Sequence, residues 1–470
     1  MNISAFVFLK NCVQIDSLGR VTIQDKKKLR EEAIDQLIHW AVFGKADQQA
    51  LAYWLIWELG QAIGIYPASI HEFYMAVGRG EIGRPLTVPA INLRAMNYDC
   101  GRAAFRAAVQ RKVGAVIFEI ARSEIGYTAQ RPREYFSAVM AAAIKEGFEG
   151  PLFIQGDHFQ VSEKKFKEKS EEEALAIEQL ILEAIQAGFF NIDIDTSTLV
   201  DLGQPTVLEQ QRANYELCAR FTAFIRKHQP KGITISVGGE IGEVGGKNSD
   251  ETELRAYMDG FKRSLSPGLA GLSKISIQTG TSHGGVVLPD GTLAQVAIDF
   301  KVLKDLSKVA RNSYGMGGTV QHGASTLPDE AFHQFVANDA VEVHLATGFQ
   351  NMIYDHAQFP QGLKQNIYQY LKSKHADEWK SGKTEEQFLY STRKKGLGPF
   401  KTEMWGLTEE IRSAIRLDLE KKFGFYFDQL QVGDTQDLIR KFVPPVRVEK
   451  KQGDFGLGLA KGEDVSDLAD

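Results

Sequence analysis

Four short apolar runs in this sequence end in residues that can do chemistry. Pro151-Leu152-Phe153-Ile154 leads into Gln155-Gly156-Asp157-His158. Ile233 to Val237 leads into Gly238-Gly239-Glu240, Ile275 to Thr279 into Gly280-Thr281-Ser282-His283-Gly284, and Gly318 to Gln321 into His322-Gly323. An apolar run of this length is a buried strand, and polar residues at its end are delivered at the strand tip. Three imidazoles meeting with an open fourth position suit a catalytic zinc or similar divalent ion. On this reading His158, His283 and His322 are the metal ligands. Glu240 is a fourth or alternate ligand, or a base beside the ion. Asp157, next to a ligand, is placed to move a proton without binding the metal. Gly284 and Gly323 each follow a histidine, where the lack of a side chain lets backbone or ligand come close.

These tips converge only if the strands lie parallel in one closed sheet. Eight strands are predicted, over 86–92, 115–120, 152–157, 190–195, 233–239, 275–281, 319–322 and 341–345, with helical patterns between them. Apolar strands alternating with helices imply a parallel sheet covered on its outer face. Eight units over 85–355 predict an α/β fold of the (β/α)8 TIM-barrel type, and no Gly-rich dinucleotide fingerprint follows the first strand. Residues 1–84 are read as a helical N-terminal extension, with helices over 26–44, 48–63 and 67–78 packed through Trp40, Trp54 and Trp57. Residues 356–449 are read as a helical C-terminal extension that covers the barrel or mediates assembly, and 450–470 as a polar, partly disordered tail.

The 470 residues, 43% of them hydrophobic, can bury a large core. A formal net charge of −5 argues against nonspecific nucleic-acid binding, and no run approaches a membrane span. Cys12, Cys100 and Cys218 are widely spaced with no CxxC pair, as expected of reduced thiols in a cytoplasmic protein. The apolar stretch at the start has its first basic residue at Lys10, after the run, and so does not read as a secretory signal.

The ordered set Val88-Pro89-Ala90-Ile91-Asn92, Asp157-His158, Asp195-Thr196-Ser197, Glu240-Ile241-Gly242, Gly280-Thr281-Ser282-His283-Gly284 and His322-Gly323-Ala324-Ser325 resembles the metal-dependent (class II) fructose-bisphosphate aldolases. The resemblance covers residues 85–351. It implies a lyase of carbohydrate metabolism (aldehyde-lyase, EC 4.1.2 type) that cleaves fructose 1,6-bisphosphate to dihydroxyacetone phosphate and glyceraldehyde 3-phosphate, as in glycolysis. It further implies Zn2+ on His158, His283 and His322 with Glu240 beside it, and Asp157 as the acid at the hydroxyl of the breaking bond. Asp195 becomes the outer acceptor that orients a metal histidine. Asn92 lines the substrate pocket. Gly284, Gly323 and Ser325 contact phosphate, near which the family holds a monovalent cation, K+ or Na+. A second base comes from a mobile acidic loop, for which Glu243, Asp250 and Glu251 are the candidates. Family members are often dimers or tetramers, so a homo-oligomer is expected.

The departures fall on the phosphate grip. No lysine follows Gly284-Gly285, and His322 begins His-Gly-Ala-Ser-Thr where the family has HGGSG. In Glu342-Val343-His344-Leu345-Ala346-Thr347, His344 stands for an asparagine and Ala346 for an aspartate, while Thr347 is kept. Ala121 stands where a serine is expected, with Arg122 and Ser123 adjacent. Ser123, Ser325, His344 and Thr347, with Arg122, are therefore candidates for a different anion site. Two other readings compete: a metal-dependent lyase, epimerase or isomerase on another sugar or sugar phosphate, and a noncatalytic barrel supporting a partner subunit.

Overall fold

A computed structural model describes residues 6–16, 19–242, 247–280, 288–289, 298–455 and 468. Eleven strands form in chain order: β1 Val13–Ile15, β2 Val21–Ile23, β3 Ile65–Ala68, β4 Val88–Asn92, β5 Ile117–Ala121, β6 Gly150–Gln160, β7 Asn191–Asp195, β8 Ser236–Glu240, β9 Lys274–Ile277, β10 Thr319–Gln321 and β11 Glu342–Leu345. β1 and β2 make an antiparallel hairpin. β4 to β11 are parallel and close into an eight-stranded barrel, β11 pairing with β4 and β6 with β7. Each of the eight predicted strands coincides with one of these.

The outer helices start and stop where local chemistry dictates. Pro132 opens the helix Pro132–Glu146, where its missing N–H costs nothing, and Gly147 ends it at φ +79°. Asp250 and Glu253 form a reciprocal capping box at the start of Glu251–Ser264.

The N-terminal region differs from expectation in one respect. Residues 67–78 are not one helix: β3 comes first, then the helix His71–Gly78. β3 pairs with β6 only, so its Pro67 sits on an edge strand, where a missing donor is tolerated. The helix then seals the lower end of the barrel. Ile70 N donates to Asn191 Oδ1 at 2.9 Å, and Ser236 N donates to Ser69 Oγ at 2.8 Å. Tyr74 OH donates to Glu342 at 2.5 Å. Each of these contacts is at the N-terminal end of a barrel strand, which leaves the opposite end for chemistry.

The C-terminal helices pack back onto the same core. The helix Glu409–Gln429 lies along Asn97–Gln110, with Arg416 and Asp99 ion-paired and buried between them. The indoles of Trp57 and Trp54 donate to the carbonyls of Val448 and Lys450, at 3.0 and 3.2 Å, and Phe455 is buried. The segment 450–455 is thus part of the packed structure. No helix among the described residues is long and apolar enough to cross a membrane.

Candidate metal and proton-transfer site

β6 delivers two site residues at once because it is irregular. Its register against β7 shifts between Gly156 and Phe159, and His158 has φ +38°. In a regular strand Asp157 and His158 would face opposite sides. A bulge with one left-handed residue re-aims a side chain, and such strain in a non-glycine residue belongs at functional positions. Gly156 permits the bulge: a Cβ there would lie 2.4 Å from the Phe159 ring.

The result is a buried pair of imidazoles. His158 Nε2 lies 2.9 Å from His322 Nδ1, and the ring centroids are 4.2 Å apart. The far nitrogens are held from outside. His158 Nδ1 is 3.3 Å from Asp195 Oδ2 and 3.2 Å from Glu240 Oε2, and His322 Nε2 is 2.9 Å from Ser276 Oγ. Asp195 is itself fixed by Gln160 Nε2 and Ser197 Oγ, both donating at 2.6 Å. Facing nitrogens with anchored outer nitrogens are the arrangement in which neutral imidazoles bind a metal.

The electrostatics favour a cation. Burial opposes charge on His158, but Asp157 and Glu240 outweigh it and hold its pKa well above the usual imidazole range. Burial, then the charge of Asp195, pushes Glu240 up to about 7. Carboxylates that draw a proton onto His158 would equally favour a divalent ion between the histidines. The donor set of His158 and His322 with Asp157, or of His158 with Asp195 and Glu240, is close enough to hold one ion.

A second cluster lies one layer deeper and was missed by the sequence reading. His344 Nδ1 is 3.1 Å from Asp157 Oδ1 and 3.2 Å from Glu119 Oε2; its Nε2 is 2.6 Å from Glu342 Oε1. Below it Lys274 Nζ contacts Glu342, Asp193 at 2.8 Å and Gln155 Oε1 at 2.7 Å. Gln155 Nε2 donates on to Glu119 and Glu342, at 2.9 and 3.0 Å. The signal was available: Glu119, Gln155, Asp193, Lys274 and Glu342 are polar residues inside apolar strands, and in a closed barrel alternate positions point inward.

The remaining expected residues divide. Asn92, at the tip of β4, donates from Nδ2 to Glu124 Oε2 at 2.6 Å, and its buried Oδ1 has no hydrogen-bond partner. Thr347 opens the helix Thr347–Tyr354 and accepts from Arg94 Nη1 at 3.3 Å. Ser325 Oγ accepts from Gly348 N at 3.1 Å, and Gly323 has φ +69°. Ser123 is buried in the short helix after β5. His344 lies among carboxylates, not beside anion-binding donors. Arg122 is engaged by Glu173 at 2.5 Å and the Gln160 carbonyl at 2.6 Å. Asp250 caps its helix and pairs with Lys247, while Glu251 pairs with Arg255 at 2.8 Å on the surface. His283, Gly284 and Glu243 lie outside the described residues.

Residues 84–405 match the family model for fructose-bisphosphate aldolase class-II. A comparison with curated proteins gives no match. Among solved structures, fructuronate-tagaturonate epimerase UxaE from Cohnella laeviribosi aligns over 90% of both chains, with a TM-score of 0.55 and 12% identity. A probable tagatose 6 phosphate kinase from Sinorhizobium meliloti 1021 aligns over 75% of this chain and 99% of its own, with a TM-score of 0.51 and 17% identity. At such identities the likeness is one of fold.

Proposed function

Because the chain belongs to the class-II fructose-bisphosphate aldolase family, whose members are metal-dependent, we propose that it is a carbon–carbon lyase that reversibly cleaves a phosphorylated ketose. Fructose 1,6-bisphosphate is the simplest substrate. The observation that carries this reading is the buried His158–His322 pair, with Asp157, Asp195 and Glu240 around it. His158, His322 and His283 would hold the metal, taken as Zn2+, with Glu240 beside it. When bound, the ion supplies Lewis-acid polarisation of the ketose carbonyl, so no lysine Schiff base is required.

The chain's own residues do the rest. Asp157 takes the proton of the C4 hydroxyl in cleavage and returns it in condensation. Its contact with His344 places a donor behind the carboxylate and holds it in one orientation. Asp195 fixes the ring of His158. Asn92 offers its free carbonyl oxygen to a substrate hydroxyl. A second base must serve the triose carbon. With Asp250 and Glu251 engaged elsewhere, Glu243 is the first to test.

One observation favours a second reading, a metal-dependent epimerase, isomerase or lyase on a different sugar. His344 and Glu342 stand where the family grips phosphate, and both are bound into the interior acid network. An anionic floor of this kind does not help a phosphate dianion.

The test has two parts. Purified protein should carry about one divalent ion per chain, lost in His322→Ala. Coupled assays with fructose 1,6-bisphosphate and tagatose 1,6-bisphosphate should show cleavage that a chelator abolishes. If no phosphorylated ketose is cleaved in a chelator-sensitive way, the lyase assignment fails and the second reading takes its place.

A further inference from the structure

Beyond the metal, the barrel mouth holds a second site of charge, built partly by the C-terminal extension. Arg94 follows β4 and is buried, its side chain only 8% exposed. Its Nε donates to Glu124 Oε1 at 2.6 Å and its Nη1 to Thr347 Oγ1. Glu124 also holds Asn92, so Arg94 adjoins the pocket in which Asp157 works.

Lys394 arrives from the other side, on the turn Arg393–Gly396 of the extension. That turn is fastened to the barrel. Gly398 N donates to Tyr127 O at 3.0 Å, Lys401 Nζ to Ala129 O at 2.8 Å, and Tyr354 OH to Arg393 O at 3.0 Å. Gly398 sits so close that a Cβ would lie 2.5 Å from the Tyr127 carbonyl oxygen. Lys394 Nζ stands 5.7 Å above the Tyr127 ring, whose buried hydroxyl has no hydrogen-bond partner.

The charges around Lys394 are Arg94, Glu124, Lys395 and Glu378. Lys395 and Glu378 pair with each other at 2.8 Å. What remains is two cations, Arg94 and Lys394, against one carboxylate, Glu124. A buried excess of one positive charge is costly unless an anion joins it. We propose, resting on the reading of this barrel as a ketose-converting enzyme, that Arg94 and Lys394 form a subsite for a monoanionic end group of the substrate, a carboxylate. A single negative charge neutralises the cluster, whereas a phosphate dianion would leave an excess of the opposite sign. The Tyr127 hydroxyl supplies a further donor. The extension thereby sets which sugar is accepted. Burial, and then Arg94, pushes the pKa of Lys394 down to about 7, so the subsite is fully charged only at or below neutral pH.

The test is calorimetric titration of the full-length, metal-loaded protein with fructuronate, fructose 6-phosphate and fructose. Fructuronate should bind at least about tenfold more tightly than fructose, one charge-assisted contact's worth. Lys394→Met should lower that ratio about tenfold, and Lys395→Met should leave it as in wild type. The wild-type ratio should fall from about pH 6 to about pH 8.5 as Lys394 loses its proton, and Lys394→Arg should hold it flat. An unchanged ratio in Lys394→Met overturns the proposal. So does fructose 6-phosphate binding more tightly than fructuronate through Lys394. Because binding is read without turnover, failure of the cleavage assay does not touch this result. Cleavage of phosphorylated ketoses by Lys394→Met at the wild-type rate would sink the subsite and leave the lyase standing.

Discussion

Two clusters of buried charge share the barrel, and they are balanced in opposite ways. At the waist, Glu342 and Asp193 close on Lys274, with Gln155 and Tyr74 filling the remaining positions. Burial opposes the charge of Glu342, but Lys274 and His344 hold its pKa below the usual carboxylate range. At the mouth, Asp157, Asp195 and Glu240 surround His158 and His322 with no lysine or arginine among the groups that shift His158. The waist carries its own cation and is a structural plug. The mouth lacks one and draws protons onto an imidazole. The same residue types make a scaffold or a site according to whether the sequence supplies the positive charge.

The sharpest way to break this distinction is Asp157→Ala. Asp157 belongs to the mouth by its neighbour His158 and to the waist by its contact with His344. If it moves a proton, kcat should fall about 10²- to 10⁴-fold while the metal is retained. A stopped assay and metal analysis on one preparation read both. Unchanged kcat would assign Asp157 to the plug.

Lys274→Met is the matching test of the waist. Removing one partner of a buried ion pair leaves charge uncompensated and should cost about 3–5 kcal/mol of stability. Glu342 has a depressed folded-state pKa, so its contribution is present above its unfolded value and lost as pH falls. Without Lys274 that contribution disappears. The gap in urea midpoint between wild type and variant should therefore narrow as pH falls from about 8 to about 5. Intact stability with lost metal would mean the waist is part of the metal site.

The two clusters were not equally legible. The mouth was found because strand tips in a barrel converge, and Asp157, His158, Glu240 and His322 could be placed without knowing side-chain directions. The waist needed those directions. Lys274 and Asp193 read as ordinary polar residues at strand margins until the sheet closes and period-two alternation turns them inward. The bulge that brings both Asp157 and His158 inside had no marker except Gly156, because register shifts are set by neighbouring strands. β3 was hidden by Pro67, which suggested the first turn of a helix. The eight barrel strands were legible from apolar runs alone, since a strand buried on both faces needs no partner to be recognised.

Asp195→Asn gives the smallest effect and the finest cut. The carboxylate contacts His158 Nδ1 and is held by Gln160 and Ser197, so the amide keeps most of the geometry and loses the charge. Outer acceptors of this kind change metal affinity about 10- to 100-fold. A chelator competition should show that loss, with kcat restored once the metal is saturating. Glu240 Oε2 lies as close to the same nitrogen, at 3.2 Å, and could take over the contact. If Asp195→Asn alone is silent, Asp195→Asn with Glu240→Gln should show the loss that either carboxylate conceals, since groups sharing one partner are not additive. A silent double variant would mean that His158 needs no outer carboxylate, and the mouth would then differ from the waist only in depth, not in how its charge is balanced.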